Sequence, residues 1–118
     1  MQLKRQHTMK RAYEFAEART RGASDAGRYI VLCTAPFPEN KQRHSLFGII
    51  TTKRVGHAVV RNRLRRQLRE ILRAHGEPLE SGRYVVLIVR NRAAHTDYAG
   101  LERDFLKLLK RNTRITTC

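Results

Sequence analysis

Arginine side chains dominate the stretch from residue 53 to residue 73, KRVGHAVVRNRLRRQLREILR. A helix turns by about 100° per residue, so a helix that begins near Gly56 or His57 places its apolar residues along one side. These residues are Val60, Leu64, Leu68, Ile71 and Leu72. The opposite side carries Asn62, Arg65, Arg66, Arg69 and Arg73, with Arg61 and Arg63 on the borders. This spacing predicts an amphipathic helix with a continuous row of guanidinium groups.

A row of arginines is suited to holding phosphate groups. Like charges at i, i+4 destabilise an isolated helix by a few tenths of a kcal/mol per pair, and within the row only Glu70 offers neutralisation. A guanidinium group stays charged and donates two parallel hydrogen bonds to phosphate. The alternative is a solvated face that only aids solubility. Because Arg rather than Lys stands at nearly every position, we favour an anionic partner.

The other residue types that could carry out chemistry are scattered. The two cysteines are Cys33, inside an apolar run, and Cys118 at the last position, and neither has a partner at metal-ligand spacing. The five histidines form no HExxH or similar motif. The ten carboxylates suggest no acid–base pair or metal cluster. The sequence therefore predicts neither a catalytic centre nor a metal site in the protein.

The charge of the whole chain agrees with that of the arginine row. With 25 Lys and Arg against 10 Asp and Glu, the formal charge is +15, which indicates nucleic acid, an anionic membrane surface or an acidic protein as a partner. A length of 118 residues and a hydrophobic content of 41% predict one folded domain over 1–118, with flexible ends at 1–8 and 113–118. No apolar run approaches the length of a membrane span or a signal peptide, so we expect a cytoplasmic protein.

Hydrophobic patterning predicts the elements that position the arginines. Two strands, Tyr29–Ala35 and Ser45–Thr52, suggest an antiparallel hairpin with a long connection. A third strand, Tyr84–Val89, is almost entirely apolar, as expected of a strand covered on both faces. The segment GASDAG at residues 22–27 has the composition of a turn. The mixture of strands and helices indicates an α+β domain.

Three helices are predicted. The first, Met9–Arg19, carries Phe15 either as a core anchor or as a stacking platform for a ligand. The arginine helix ends near Ala74 or His75, before Gly76 and Pro78. The last begins at Tyr98, after a cap at Thr96 or Asp97, and runs to about Arg111. Its apolar residues are Tyr98, Leu101, Phe105, Leu108 and Leu109. Arg90, Asn91 and Arg92 follow the third strand, either as a cationic rim of the sheet or as a solubilising loop.

The segment from Lys53 to Glu70 resembles the signature of the bacterial ribonuclease P protein component, the RNR-motif family. The resemblance rests on Gly56, Ala58 and Val59 at fixed distances before the block RNRLRRQLRE. It extends to a helix with Phe15 before Gly22, to the strand YIVLCTA, to an apolar strand that ends at Arg90, and to an amphipathic helix at the end of the chain. It covers nearly the whole sequence.

The resemblance implies a single-domain α/β sandwich of order α-β-β-β-α-β-α, similar to domain 2 of ribosomal protein S5. In that fold the arginine helix joins two parallel strands by a left-handed crossover, against the usual preference. A short extra strand is implied around Gly22–Ser24, where composition alone suggests a turn.

The resemblance also implies a protein subunit that binds a catalytic RNA and the 5′ leader of precursor tRNA, assists removal of the leader and broadens the substrate range of the ribozyme. The residues that would contact the RNA subunit are Arg61, Asn62, Arg63, Arg65, Arg66, Arg69 and Arg73. Those along the leader would be Phe15, Arg19, Lys53, Arg54 and Arg90. Mg2+ bound mainly by the RNA would supply the hydrolytic chemistry, with no membrane and no further protein partner. Arg19 and Cys33 stand where many relatives have aromatic residues, so leader stacking should be weaker here.

Two other classes of function remain open at this stage. A ribosomal or ribosome-assembly protein would also be small and basic, and would co-sediment with ribosomal subunits without stimulating leader removal. A protein-only nuclease would need clustered acidic ligands for a metal, and the carboxylates of this chain are scattered.

Overall fold

The computed structural model of the chain describes Thr8 and residues 23–37, 44–80 and 82–116. The described residues form four strands, which are β1 (Ala23–Ala26), β2 (Ile30–Pro36), β3 (Leu46–Ile50) and β4 (Arg83–Val89). They also form two α-helices, α1 (Ala58–His75) and α2 (Tyr98–Thr116). Two short 3-10 helices, η1 (Glu77–Leu79) and η2 (Asn91–His95), follow α1 and β4. The predicted helix Met9–Arg19 lies outside the described residues.

The four strands form one sheet in the order β1-β2-β4-β3. β2 pairs with β1 and β4 in antiparallel fashion, and β3 pairs with β4 in parallel. The predicted hairpin between β2 and β3 is therefore wrong, because β4 lies between them. The physical reason is in β4 itself: Tyr84 and Val86 are buried on one face, Val85 and Leu87 on the other, and a strand that is apolar on both faces is buried best in the centre of a sheet.

The structure confirms an α+β domain in which α1 joins the parallel strands β3 and β4. The hand of this crossover stays a prediction. β1 occupies part of the segment whose composition suggested a turn, and Ala23 to Ala26 pair with Thr34 to Val31 of β2. The turn interpretation is thus wrong for these residues, and the extra strand that the resemblance implied is present.

Both α-helices pack on the same face of the sheet. α1 contributes the side chains that the periodicity predicted, and Leu64, Leu68 and Ile71 are completely buried. α2 contributes Leu101, Phe105 and Leu108 to the same core cluster, with Tyr98 and Leu109 at its edge. The strands supply the alternate residues that point toward the helices: Ile30, Leu32, Phe47, Val85, Leu87 and Val89. This core fixes α1 against the sheet, so its polar side faces outward.

The opposite face of the sheet carries a smaller apolar cluster. Cys33 and Ala35 of β2 lie there with Val86 of β4, and the rings of Phe37 and Tyr84 meet edge to face with centroids 4.9 Å apart. Four residues of this face are only partly buried: Val31, Leu46, Ile50 and Ile88.

The helix boundaries follow from local chemistry. Gly56 precedes α1 with φ +155°, a conformation that side chains disfavour, and Gly76 ends the helix by donating its N–H to Leu72 O at 2.8 Å. At the start of α2, Asp97 Oδ1 accepts the N–H of Gly100 at 2.9 Å, so Asp97 and not Thr96 is the cap.

Two observations concern the chain ends that were expected to be flexible. α2 continues beyond the predicted end at Arg111 as far as Thr116, and the flexibility expected of residues 113–118 stays a prediction. Thr8 forms an isolated parallel bridge with Phe47 of β3.

The two α-helices also meet through polar groups. His75 Nε2 of α1 and Glu102 Oε2 of α2 are 2.9 Å apart. Partial burial raises the pKa of the Tyr98 phenol, and the negative charges of Glu102 and Glu70 raise it further. Tyr98 therefore stays neutral between the helices at neutral pH.

Candidate nucleic-acid interface

The polar side of α1 forms an open row of cations, which we call the arginine ridge and which consists of Asn62, Arg65, Arg66, Arg69 and Arg73. Four of these residues are exposed, as the helical spacing predicted, and Arg65 is half-buried. Arg65 Nη1 donates to Asn62 Oδ1 at 3.2 Å. Within the described ranges, Arg73 is the one member of the ridge in an ion pair, which it forms with Glu70. Most of the ridge is therefore available to an external anion.

Arg61 and Arg63 border the ridge, as the helical spacing predicted, and both are half-buried. Arg63 Nη2 donates a hydrogen bond to Ala94 O of η2 at 3.1 Å, across 31 residues of sequence. The Nε atoms of both arginines are buried and make no hydrogen bond in the described part of the chain. Arg63 thus ties α1 to the segment after β4, a role that the sequence did not reveal because the contact depends on sheet topology.

Lys53, Arg54 and Arg90 are brought to one edge of the sheet, and we call them the edge cations. Because β3 and β4 are parallel, with Ile50 opposite Ile88, the segments that follow the two strands emerge at the same edge. Lys53 and Arg54 are exposed in a turn. The N–H of Val55, a buried residue, donates a hydrogen bond to Thr52 O at 3.0 Å and so closes that turn.

The beginning of α1 lies just beyond that turn. Its first turn contains no acidic residue, and the side chain of His57 forms no capping hydrogen bond. The first N–H groups of a helix lack partners within the helix and carry a partial positive charge. This helix end therefore adds to the positive potential of the edge cations and favours an anion beside them.

A further cation at this edge is Arg28, which the sequence did not indicate. Arg28 is exposed two residues before Ile30, and Ile30 pairs with Val89 directly before Arg90. Its Cζ atom lies 5.6 Å from the centroid of the Tyr29 ring. Only the order of the strands brings Arg28 and Arg90 to the same edge, so no local pattern could have indicated it.

The remaining predictions concern the first helix, metal binding and membrane spans. Phe15 and Arg19 lie outside the described residues. Within the described ranges, no group of three or more His, Cys, Asp or Glu side chains is placed to hold a metal ion. No described helix combines the length and the apolar character needed to span a membrane.

The fold and this surface define a class: a small, strongly basic α+β domain with one arginine-lined helix across a parallel strand pair. A family model described as Ribonuclease P matches residues 3–113. The chain belongs to the ribonuclease P protein family.

Individual relatives agree with the family match. The chain is 35% identical over 105 residues to the ribonuclease P protein component of Natranaerobius thermophilus, covering 89% of each chain. It is 33% identical over 110 residues to that of Geobacillus kaustophilus, covering 93% of this chain and 89% of the relative.

Solved structures of similar proteins share the fold. The RNase P protein of Staphylococcus aureus superposes with a TM-score of 0.79 at 25% identity, covering 90% of this chain and 94% of the other. The RNase P protein from Thermotoga maritima superposes with a TM-score of 0.74 at 26% identity, covering 88% and 96%.

Proposed function

We propose that this protein is the subunit of a ribonuclease P holoenzyme that binds a catalytic RNA and the 5′ leader of precursor tRNA. Family membership supports this proposal. The observation that carries it is the arginine ridge, which is backed by a buried core and, apart from Arg73, has no ion pair within the described part of the chain. A tRNA-processing role accounts for a surface that would otherwise reduce the stability of its own helix.

The ridge and the edge cations serve different RNA elements. Folded RNA presents phosphates and 2′-hydroxyls in a fixed shape, which a rigid row of guanidinium groups can match. A leader varies in sequence, so it must be held by charge and stacking and not by base readout. The edge cations and the start of α1 supply such charge. Arg19 and Cys33 stand where aromatic residues are common in the family, so charge contributes more than stacking to holding the leader.

We assign the hydrolytic chemistry to the RNA partner. Mg2+ held by that RNA supplies activation of water and stabilisation of the leaving oxygen. The protein's own contribution is electrostatic: its cations offset repulsion between two polyanions, which tightens substrate binding and lowers the concentration of Mg2+ that the assembly needs.

Reconstitution tests the proposal. Multiple-turnover leader removal by a bacterial ribonuclease P RNA is measured at low Mg2+ with and without this protein, and with the protein alone. We expect strong stimulation of the RNA and no cleavage by the protein alone. Cleavage by RNA-free protein would overturn the assignment of catalysis. Absence of stimulation, together with co-sedimentation with ribosomal subunits, would indicate a ribosomal role instead.

A further inference from the structure

We propose that Asp104, on the buried side of α2, is a positioning residue that holds Arg90 in the orientation in which it meets the leader. The inference rests on the proposed function, because it adds a second residue to the leader-binding role of Arg90. Asp104 itself is buried, so its role is to hold other groups in place.

Asp104 interrupts the apolar side of α2 with a carboxylate. Its exposed fraction is 7%, and a buried charge needs hydrogen bonds to offset the loss of water. Both oxygens accept backbone N–H groups from the turn between β1 and β2 and from the first residue of β2. Oδ1 accepts from Arg28 at 2.9 Å, and Oδ2 accepts from Tyr29 at 2.9 Å and from Ile30 at 3.1 Å. Three charge-assisted bonds thus fix this turn to the helix.

The same turn holds Arg90. Arg90 Nη1 donates to Gly27 O at 2.7 Å, and the backbone N–H of Arg90 donates to Tyr29 O at 2.8 Å. Gly27 is packed directly against the carboxylate, because a Cβ atom on it would lie 2.5 Å from Asp104 Oδ2. The position of the Gly27 carbonyl therefore depends on Asp104, and the direction of the Arg90 guanidinium depends on that carbonyl.

This arrangement orders an exposed arginine before any ligand arrives. A guanidinium group has five N–H donors, and the bond to Gly27 uses one of them. An arginine that is already oriented loses less conformational entropy on binding phosphate than a mobile one. Arg92, two residues further along, is exposed and its side chain forms no hydrogen bond in the described part of the chain, so it serves as an internal comparison.

Replacing Asp104 by Asn distinguishes a positioning role from a general electrostatic effect, because the two predict opposite changes in leader binding. Asp104→Asn removes one negative charge, and added positive charge alone strengthens the attraction of a polyanion. Asn offers one acceptor oxygen where the carboxylate offers two, so the turn loses part of its support. If Asp104 orients Arg90, leader binding weakens although the protein becomes more positive.

The experiment measures the leader gain, the ratio of the affinities of the reconstituted holoenzyme for precursor tRNA and for the same tRNA without a leader. The variants are Asp104→Asn, Arg90→Ala and the double variant. The matched control is Asp97→Asn, which removes the same charge from the N-cap of the same helix and leaves a residue that caps a helix equally well.

We expect Asp104→Asn to reduce the leader gain about fivefold, the scale of one hydrogen bond, and Arg90→Ala to reduce it at least as much. The double variant should match Arg90→Ala, and Asp97→Asn should not reduce the gain. Effects that add in the double variant, or an unchanged gain in Asp104→Asn, overturn the positioning role. An unchanged gain in Arg90→Ala overturns it by removing the leader role of Arg90. Absence of any leader gain with the unaltered protein contradicts the proposed function itself.

A second measurement does not depend on whether Asp104→Asn folds. In the unaltered free protein, the {1H}–15N nuclear Overhauser effects of the Nε–H groups of Arg90 and Arg92 are compared. We expect the Arg90 side chain to be the more ordered of the two. Equal mobility of the two side chains overturns the proposal.

Discussion

Replacing Arg65 and Arg69 by Ala tests whether the arginine ridge contacts phosphates. The two residues lie one helical turn apart and form no ion pair in the described part of the chain. Each phosphate contact contributes about 0.9 to the slope of log K against log salt concentration. Loss of two contacts should reduce the slope for binding the RNA subunit by about 1.8, which corresponds to about 60-fold weaker binding at 0.1 M salt.

The fold itself should survive this double substitution. It relieves a repulsive i, i+4 pair and introduces the best helix former, each worth a few tenths of a kcal/mol, so Tm should stay the same or rise slightly. The matched control is Lys107→Ala with Arg111→Ala, which removes the same charge at the same spacing from exposed positions of α2. Binding is measured by filter retention between about 0.1 and 0.5 M monovalent salt, a range in which the charge effect is large. Equal slopes for the two double variants would refute phosphate contact through the ridge.

Three further predictions concern the supports of the site. Arg63→Ala leaves the carbonyl of Ala94 without the hydrogen bond from Arg63. The free energy of unfolding, measured by urea titration, should fall by about 1–3 kcal/mol. An unchanged value would show that this bond contributes nothing to stability. Gly56→Ala forces a side chain into a left-handed conformation and should cost about 1–3 kcal/mol; a thermal melt like that of the unaltered protein would contradict this. The raised pKa of Tyr98 means that the folded state keeps its proton longer than the unfolded state. Stability should therefore fall as pH rises through about 10, and fall less in Tyr98→Phe; equal losses from pH 9 to 11 would refute this.

The periodicity of the sequence predicted the arginine helix well because the signal is local. Four buried residues, Leu64, Leu68, Ile71 and Leu72, recur at helical spacing, and the border positions of Arg61 and Arg63 follow from the same rotation. The cap at Asp97 is a local signal in the same sense. For these elements the sequence alone predicted the side that faces the core, whereas the end of α2 lies at Thr116, beyond the predicted Arg111.

The order of the strands could not be predicted from local patterns. β2 and β3 are neighbours in sequence, but the strand that is apolar on both faces, β4, gains most from a central place and separates them. The contacts that depend on this order were missed for the same reason. Arg28 lies near Arg90 only because β2 pairs with β4, and Arg63 reaches Ala94 only because β4 returns beside β3.

Asp104 is the exception, since the sequence did contain a signal for it. In α2 the buried residues Leu101, Phe105 and Leu108 follow helical spacing, and Asp104 lies on the same side of the helix. A carboxylate on the apolar side of a predicted helix must find donors in the core or remain unpaired at high cost. A charged residue in an apolar stripe therefore identifies a structural connection before its partners are known.

The two cationic surfaces are joined through one rigid segment of the chain. Arg90 directly follows β4 and is held to the turn before β2 through Gly27 O, and four residues later Ala94 O accepts the bond from Arg63 of α1. Ala93 between them is completely buried, which fixes η2 against the core. Hydrogen bonds and packing therefore hold the arginine ridge and the edge cations in a fixed position relative to each other. A protein that binds a folded RNA on one surface and presents a single strand to that RNA from the other needs both surfaces in a fixed relative orientation. Any relative motion of the two surfaces would add to the conformational entropy lost on binding.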